Sequence, residues 1–356
     1  MVNKKGFWKI PVWILLIFLV LMGLGTACQS NRISPRARHG AGMVYDPVGK
    51  QVLLFGGRGS GGLVGDLYDD LWALDLEKQT WEKLDPATGP ERRISPGMVY
   101  DPSHHQLILF GGYRNSGRVN DTWLFDLDSN EWQEVFPAVS PSERSDMGLA
   151  YDEENQVVLL FGGYCLDYQR EQCDETWSFD PALNEWVDMD PVSSPPVMYG
   201  LSMDYDSHEN AFLIFGGHMS DFSQGSASSA GYNGSIWSYS MEENNWVEIP
   251  RSGQMSPLPR YWHQAAYISE DGGLFVFGGD AGYSYLADSW FFESDLSSWS
   301  RKRTEVSPPA RIVGSLVYCP DYDQVILFGG LDKDFNNLND TWVYTGSTTS
   351  WEQISP

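Results

Sequence analysis

Basic residues are scarce in this chain of 356 residues. It carries 23 Lys and Arg against 48 Asp and Glu, which gives a formal net charge of −25 at pH 7. Such an excess of negative charge repels phosphate backbones and anionic lipid headgroups. The composition therefore argues against nucleic acid as a partner, and it leaves an N-terminal anchor as the expected contact with a membrane.

Long apolar runs are also few, and the one that stands out lies at the N-terminus. Lys4 and Lys5 precede an apolar segment, residues 10–25, which is followed by small residues and Cys28. Basic residues, a short apolar run and small residues are together typical of a secretory signal. A cysteine after the small residues resembles a bacterial lipoprotein signal, although Gly25 stands where a leucine is usual.

Residues 1–28 are accordingly predicted to be a lipoprotein-like signal peptide or membrane anchor, with Cys28 as the lipidation site, and residues 29–35 a short tether. Ordinary secretion and an uncleaved anchor helix stay open, although the apolar run is shorter than the roughly 20 residues that a spanning helix needs. All three interpretations place the rest of the chain outside the cytoplasm, and the first makes it a membrane-anchored bacterial lipoprotein.

Cysteine and histidine are in short supply. Of four cysteines, Cys165 and Cys173 bracket seven residues of one loop, and in an oxidising compartment they are predicted to form a disulfide. Cys319 is expected to be an unpaired thiol. The six histidines are dispersed, and the sequence has no phosphate loop and no nucleophile–base pair. We therefore predict no catalytic residue, no metal site and no cofactor, and enzymatic activity is the less favoured interpretation.

What the chain has in abundance is repetition. A short apolar run ending in Phe-Gly-Gly occurs six times, at residues 52–57, 107–112, 158–163, 212–217, 274–279 and 325–330. A tyrosine stands ten residues before each Phe, and two tryptophans nine residues apart follow each Gly-Gly. Each repeat is expected to form four strands, A to D: the Tyr ends A, Gly-Gly ends B, and the tryptophans lie in C and D. Twelve of the 15 tryptophans belong to this pattern, so packing between repeats is their expected role.

The Gly-Gly strand, the Asn-Asp-Thr-Trp sequences at residues 120–123 and 339–342, and the second tryptophan resemble the kelch-repeat family from about residue 34 to the C-terminus. The resemblance implies an all-β, six-bladed kelch-type β-propeller with four antiparallel strands per blade, similar to the central domain of galactose oxidase. We assign residues 36–356 to it. It implies little about function, because propellers host many unrelated activities.

Length variation is concentrated in one kind of loop. The interval from the second Gly to the first Trp is 15, 11, 14, 20, 11 and 12 residues in the six repeats, whereas the A–B and C–D turns keep one length. The B–C and D–A connections leave an antiparallel blade on the same side, which we call the B–C loop face. Loops on a rigid scaffold carry a large share of binding groups, so this face is the expected functional face.

Two charged positions recur together in five repeats. An arginine stands seven residues before the strand-A tyrosine, and an acid stands two residues before the first tryptophan; repeat 4 has Met198 and Ser235 instead. We expect five Arg–carboxylate pairs within or between blades. A ring of arginines open to an anionic ligand at the mouth of the central channel is the alternative. The residues are Arg38, Arg93, Arg144, Arg260 and Arg311 with Asp70, Asp121, Glu175, Asp288 and Asp340.

A ligand site is expected on the B–C loop face around blades 4 and 5. Repeat 4 has the longest B–C loop and lacks the charged pair, and repeat 5 contributes Trp262, which lies outside the repeat pattern. An aromatic group beside polar loops suits a sugar ring or an aromatic side chain of a partner. The alternative is that Trp262 only plugs the channel. The candidate residues are Met198, Tyr199, His218, Tyr261, Trp262 and His263.

These features lead to three functional hypotheses. The first is a membrane-tethered extracytoplasmic module that binds a protein or a glycan through the B–C loop face. The alternative is a sugar-acting enzyme, an epimerase or oxidase of the kind that the resemblance to kelch propellers implies. The third is an assembly scaffold without a small ligand. Variable loops and aromatic residues favour the first.

Overall fold

The structure, a computed structural model, describes residues 33–61, 64–165, 173–219, 231–250, 255–295 and 297–355. Six four-stranded antiparallel sheets follow one another along the chain, and the strands of each sheet are hydrogen-bonded in sequence order. The predicted six-bladed all-β propeller is therefore confirmed. The described ranges contain no α-helix and no helix long and apolar enough to cross a membrane; a 3-10 turn covers Pro320–Tyr322.

The strands, lettered A to D within each blade, have the following bounds. Blade 1 consists of β1 (Gly42–Asp46), β2 (Gln51–Phe55), β3 (Leu71–Asp75) and β4 (Thr80–Leu84); blade 2 of β5 (Gly97–Asp101), β6 (Gln106–Phe110), β9 (Thr122–Asp126) and β10 (Glu131–Val135), with a hairpin of β7 (Tyr113–Arg114) and β8 (Gly117–Arg118) in its B–C loop; blade 3 of β11 (Gly148–Asp152), β12 (Val157–Phe161), β13 (Thr176–Asp180) and β14 (Glu185–Asp188). Blade 4 consists of β15 (Ser202–Asp206), β16 (Ala211–Phe215), β19 (Ile236–Ser240) and β20 (Asn245–Ile249), with a hairpin of β17 (His218–Met219) and β18 (Gly231–Tyr232); blade 5 of β21 (Gln264–Ile268), β22 (Gly273–Phe277), β23 (Ser289–Glu293) and β24 (Ser298–Lys302); blade 6 of β25 (Ser315–Cys319), β26 (Gln324–Leu331), β27 (Asn337–Thr345) and β28 (Ser350–Ser355).

The A strands surround a central channel, and strand B lies second from the axis. The constant A–B turn has a local cause in blades 1 to 4, where an aspartate ends strand A. In blade 1, Asp46 Oδ1 accepts the backbone N–H groups of Val48 and Gly49 at 2.9 and 3.0 Å, which folds the turn. Cys319 holds this position in blade 6, and the 3-10 turn Pro320–Tyr322 makes the connection there.

The Phe-Gly-Gly sequences are explained by the next blade crossing above them. A Cβ on the first glycine would lie 2.5–2.9 Å from the carbonyl oxygen of the arginine-position residue in the following blade, and the second glycine donates its N–H to that same oxygen. Both glycines have φ between 62° and 109°, a range that side chains disfavour. This contact runs all the way round, since Gly330 donates to the Arg38 carbonyl at 2.8 Å.

The second tryptophan of each repeat packs between blades. In all six cases it contacts the Phe of the preceding blade's Phe-Gly-Gly with ring centroids 4.8–5.4 Å apart; for example, Trp132 of blade 2 lies 5.4 Å from Phe55 of blade 1. Blades 1 and 6 meet through the same contact, between Trp81 and Phe328. One hydrophobic cluster fills each interface, so the core is a circle of six equivalent seams.

Candidate functional site

The five arginines are buried structural groups. In blade 2, Arg93 is 0% exposed and bonds both carboxylate oxygens of Asp121 at 2.7 and 2.8 Å, the Gly111 carbonyl at 2.9 Å and the Glu91 carbonyl at 2.9 Å. Three others repeat this pattern within their own blades, joining Arg38 to Asp70, Arg260 to Asp288, and Arg311 to Asp340. Arg144 also pairs within its blade, but it bonds one oxygen of Glu175 at 3.1 Å and the Ser142 hydroxyl at 2.8 Å. Their guanidiniums therefore point into the blades and not into the channel mouth.

Blade 4 replaces this ion pair with a neutral contact. Met198 is 1% exposed, and the Asn233 Nδ2 donates to its sulfur at 3.3 Å. Met198 packs in the cluster between blades 3 and 4, so the missing arginine leaves no gap. Burial therefore removes Met198 from the residues that could meet a ligand, because it fills the space that arginine fills in the other blades.

Six backbone groups form a closed ring at the end of the channel. The residue two places after each arginine position donates its N–H to the equivalent carbonyl of the preceding blade, at 2.7–3.3 Å. The circuit runs through Gly40, Ser95, Asp146, Gly200, Trp262 and Val313, each with φ between 51° and 64°. This left-handed conformation is unfavourable for a bulky or β-branched residue and costs on the order of 1–3 kcal/mol. The ring holds the four side chains among them, those of Ser95, Asp146, Trp262 and Val313, at fixed places around the axis.

Two further positions in each blade form the wall above the ring. The residue after the arginine position pairs with the residue after Gly-Gly through an isolated β-bridge in every blade. The first position is occupied by His39, Ile94, Ser145, Tyr199, Tyr261 and Ile312, and the second by Arg58, Tyr113, Tyr164, His218, Asp280 and Leu331. The positions are equivalent in the fold, yet their side chains differ in charge, size and polarity. At the second position the sequence analysis named only His218 as a candidate; the signal for the others was their place directly after each Gly-Gly.

A cavity of about 610 Å³ lies in this mouth, lined mainly by blades 1, 2, 3 and 6 and by Trp262 of blade 5. Its lining residues include members of the ring but no strand-A residue, whereas the channel beyond is lined by the A strands. The ring therefore separates the cavity from the channel. The prediction placed a site around blades 4 and 5; only Trp262 of the six candidates lines this cavity.

One wall of the cavity is a ladder of arginine and tyrosine. The Arg118 guanidinium carbon lies 3.9 Å from the ring centroid of Tyr164 and 5.3 Å from that of Tyr113. The Arg58 guanidinium carbon lies 5.7 Å from the Tyr113 centroid. The Arg118 Nε donates to the Ser145 hydroxyl at 3.1 Å. Within the described ranges no carboxylate lies within ion-pair distance of Arg118. Burial lowers the pKa of Arg118, and the nearby Asp146 opposes this shift.

A group of aromatic residues, the aromatic wall, lies beside the cavity and reaches it through Trp262. Tyr261 and Trp262 are stacked with centroids 4.4 Å apart, Tyr199 lies 6.1 Å from Tyr261, and His218 lies 5.1 Å from Tyr261 and 5.2 Å from Tyr199. Burial lowers the pKa of His218 and raises that of Tyr199 to about 12. The group is therefore uncharged at neutral pH. Four of the predicted candidates thus lie together, and Tyr164 continues the group to the arginine wall at 5.1 Å from Tyr199.

Trp262 spans the mouth rather than entering the channel. Its indole N–H donates to Asp146 Oδ1 of blade 3 at 3.2 Å, passing over blade 4. Blade 4 has Gly200 in the ring, and a Cβ there would lie 2.7 Å from the Trp262 indole. Asp146 also accepts the Ser145 hydroxyl at 2.8 Å. Asp146 is therefore fixed at the floor of the cavity with lone pairs to spare.

His263 lies away from the mouth. It is 8% exposed, bonds the Ser202 hydroxyl through Nε2 at 2.9 Å and packs against Phe215. Burial first, and then the charge of Arg260, lower the pKa of His263 to about 3. His263 therefore points between blades 4 and 5 and does not join the aromatic wall, although the sequence made it a candidate ligand-binding residue.

The predicted cysteine sites fall in different places. Cys165 and Cys173 are joined by a disulfide in the B–C loop of blade 3, with Cα atoms 6.0 Å apart. Cys319 is a buried free thiol. The predicted lipidation site Cys28 and residues 220–230 of the blade-4 loop lie outside the described residues. No cluster of three or more His, Cys, Asp or Glu side chains placed to hold a metal occurs in the part of the chain that the structure describes.

Six blades, buried Arg–acid pairs and Gly-Gly crossings define a kelch-type β-propeller. Residues 24–288 match the model of the Attractin/LZTR1 beta-propeller family, and the chain belongs to this family. It is similar to acyl-CoA-binding domain-containing protein 5 of Arabidopsis thaliana, 24% identical over 330 residues that cover 88% of this chain and 47% of that protein. It is also similar to Kelch domain-containing protein 1 of Mus musculus, 23% identical over 294 residues that cover 80% of this chain and 61% of that protein. The chain thus spans about half to three-fifths of the length of these relatives, and propellers of this type are typically protein-binding modules.

Proposed function

We propose that this chain is a membrane-tethered extracytoplasmic propeller that binds a protein or a glycan at the mouth cavity on its B–C loop face. One observation carries the proposal. Positions that build the blades keep their residue types from repeat to repeat, whereas the two bridged wall positions carry a different pair in every blade. A wall that varies on a repeated scaffold is suited to recognition.

The chemistry of the mouth supports binding. The tyrosines and Trp262 are half-buried, so they offer large rigid surfaces with polar tips at small entropic cost. The arginine wall adds charge-assisted donors, and the volume of about 610 Å³ falls within the range of small-molecule sites. A protein side chain or a saccharide would each be accommodated. The alternative of a sugar-acting enzyme stays a prediction, and no contact described above favours it.

The binding proposal is tested by presenting the purified chain to a glycan array and to a panel of extracellular proteins. Tyr164→Ala and Trp262→Ala should each abolish capture while the fold persists, because both side chains line the cavity. Leu183→Ala is the matched control: its side chain is 64% exposed in the C–D turn of blade 3, on the other face. Capture that survives both mouth variants, or that Leu183→Ala removes, would place the site elsewhere.

The tether is proposed from the N-terminal sequence alone. If Cys28 is lipidated, mass spectrometry of membrane fractions should find a mature chain that begins with a modified Cys28. Cys28→Ser should then release or misprocess the protein. A mature chain that retains Met1 would favour an uncleaved anchor helix.

A further inference from the structure

We infer that the mouth cavity binds an acidic saccharide, a pyranose ring that carries a carboxylate. The inference rests on the proposed function and names a ligand class for its site. Three features of the cavity argue for it: a cationic wall, an acceptor fixed at the floor, and an apolar surface beside them.

The cationic wall selects an anion. Among the lining residues that the structure describes, Arg118 has no carboxylate within ion-pair distance, and Asp146 is the one acidic side chain. The Arg118 guanidinium lies over the rings of Tyr113 and Tyr164, and its Nε donates to the Ser145 hydroxyl. These contacts restrain the guanidinium, which can pair with a carboxylate through its remaining donors.

The floor selects hydroxyl groups beside that carboxylate. Asp146 receives one hydrogen bond from Trp262 and one from Ser145, and a carboxylate has about four lone-pair sites. Its remaining sites can accept hydroxyls of a sugar ring. An acidic peptide would bring further carboxylates toward Asp146 and toward a strongly negative protein, which like-charge repulsion opposes. A sugar ring with one carboxylate and several hydroxyls can pair with the Arg118 guanidinium and donate hydrogen bonds to the Asp146 carboxylate.

The third feature is an apolar surface for the C–H face of a sugar. Val313 lines the cavity next to Trp262, and the ring holds both residues at φ of 51°. Aromatic and aliphatic groups in these fixed positions can stack against a pyranose, whose faces are apolar and whose rim is polar. Because the cavity lies on the B–C loop side of the ring, the ligand is expected to reach the site from the B–C loop face.

The test compares two probes that differ by one group. Methyl β-D-glucuronide and methyl β-D-glucoside are titrated calorimetrically into the full chain, and the pair is repeated with the galacturonide and galactoside. We expect at least one acidic probe to bind tenfold or more tightly than its neutral partner. Arg118→Met should remove that preference, and Arg118→Lys should restore part of it. Asp146→Asn should weaken binding of the neutral probes, because it replaces one carboxylate oxygen with an NH2 donor and leaves the sugar hydroxyls a weaker acceptor.

Arg301→Met is the matched control, since Arg301 also lies over an aromatic ring, 6.0 Å from Trp290, but on exposed strand D. It should leave binding unchanged. Equal affinity for acidic and neutral sugars would overturn the inference, as would no binding of any probe. Tighter binding of an acetylated, amidated triglutamate would overturn it in favour of a protein partner. If the sugar probes fail but the array or protein panel shows capture that Trp262→Ala abolishes, the acidic-saccharide inference is wrong and the proposed binding function stands. If neither experiment shows binding, the inference and the proposed function are both wrong.

Discussion

The Arg–acid pairs give a sharp stability prediction because blade 4 supplies a natural comparison. Arg93→Met removes a fully buried guanidinium and leaves the Asp121 carboxylate, itself 15% exposed, with the Trp123 indole as its remaining side-chain donor. Stranding one member of a buried ion pair costs about 3–5 kcal/mol. For a chain of this size about 2 °C is lost per kcal/mol, so the melting temperature should fall by about 6–10 °C.

The double variant Arg93→Met/Asp121→Ser copies the residues that blade 4 has at these two positions, Met198 and Ser235. It removes the stranded charge, so it should recover about half of the loss or more. The residual deficit comes from the Gly111 and Glu91 carbonyls, which lose the Arg93 donor, and from the Trp123 indole, which loses the Asp121 acceptor, at about 1 kcal/mol each.

Arg92→Met is the control for this series. Arg92 is adjacent in sequence, but its ion pair with Asp69 is 3.6 Å long and both side chains are more than half exposed, so its loss should cost about 0–1 kcal/mol. Thermal unfolding followed by circular dichroism measures all three variants. The reasoning fails if Arg93→Met is no less stable than Arg92→Met, or if the double variant is no more stable than the single one.

The same pair predicts a pH dependence. Burial on its own would raise the pKa of Asp121, but the hydrogen bonds and charge of Arg93 outweigh it and hold this pKa below its ordinary value of 3.8. A depressed carboxyl pKa stabilises the fold above about pH 4, and this contribution is lost as pH falls through the folded-state pKa. The difference in free energy of unfolding between the wild-type chain and the double variant should therefore become smaller below about pH 4.

Three further predictions follow from buried groups. Gly200→Ala should lower the melting temperature by several degrees, because a Cβ would meet the Trp262 indole at 2.7 Å in a backbone with φ of 64°. Asp204→Asn should stabilise the fold at pH 7.5 by about 1–3 kcal/mol. Burial raises the pKa of Asp204 to about 6, so the ionised carboxylate opposes folding above that pH. The stabilisation should vanish near pH 4, where Asp204 is protonated in the folded chain. Serine at both Cys165 and Cys173 should leave the circular dichroism spectrum unchanged, because this disulfide closes a loop and joins no two blades; a lost β signal would contradict that view.

The fold was predictable because its signals are local and repeated. Strand ends, turn lengths and interblade tryptophans each have a fixed spacing, and the structure contains all six copies. The Arg–acid pattern was visible because both residues vanish together in repeat 4. What the spacing could not decide was whether the pairs lie within or between blades, since that depends on how far strand A reaches over the glycines of strand B.

The site was harder to predict because its members are defined by bridges across the sheet. Arg58, Tyr113 and Tyr164 are equivalent only once the residue after Gly-Gly is known to pair with the residue after the arginine position. Arg118 comes from a two-stranded hairpin inside a loop of irregular length, so no repeat frames it. His263 was misplaced for a simpler reason: adjacent residues Trp262 and His263 point to opposite sides, one over the mouth and one between blades.

The six-membered backbone ring also bears on how this molecule assembles. In an open solenoid each unit touches its neighbours only, and the terminal units fray independently. Here the bond from the Gly40 N–H to the Val313 carbonyl links the first blade to the last, so it forms only when every blade is in place. The entropy cost of bringing the two ends of the ring together changes little with the length of chain between them. Circular permutants opened at any D–A connection should therefore refold to the same closed circuit, whereas excising one blade leaves an arc whose ends no longer meet.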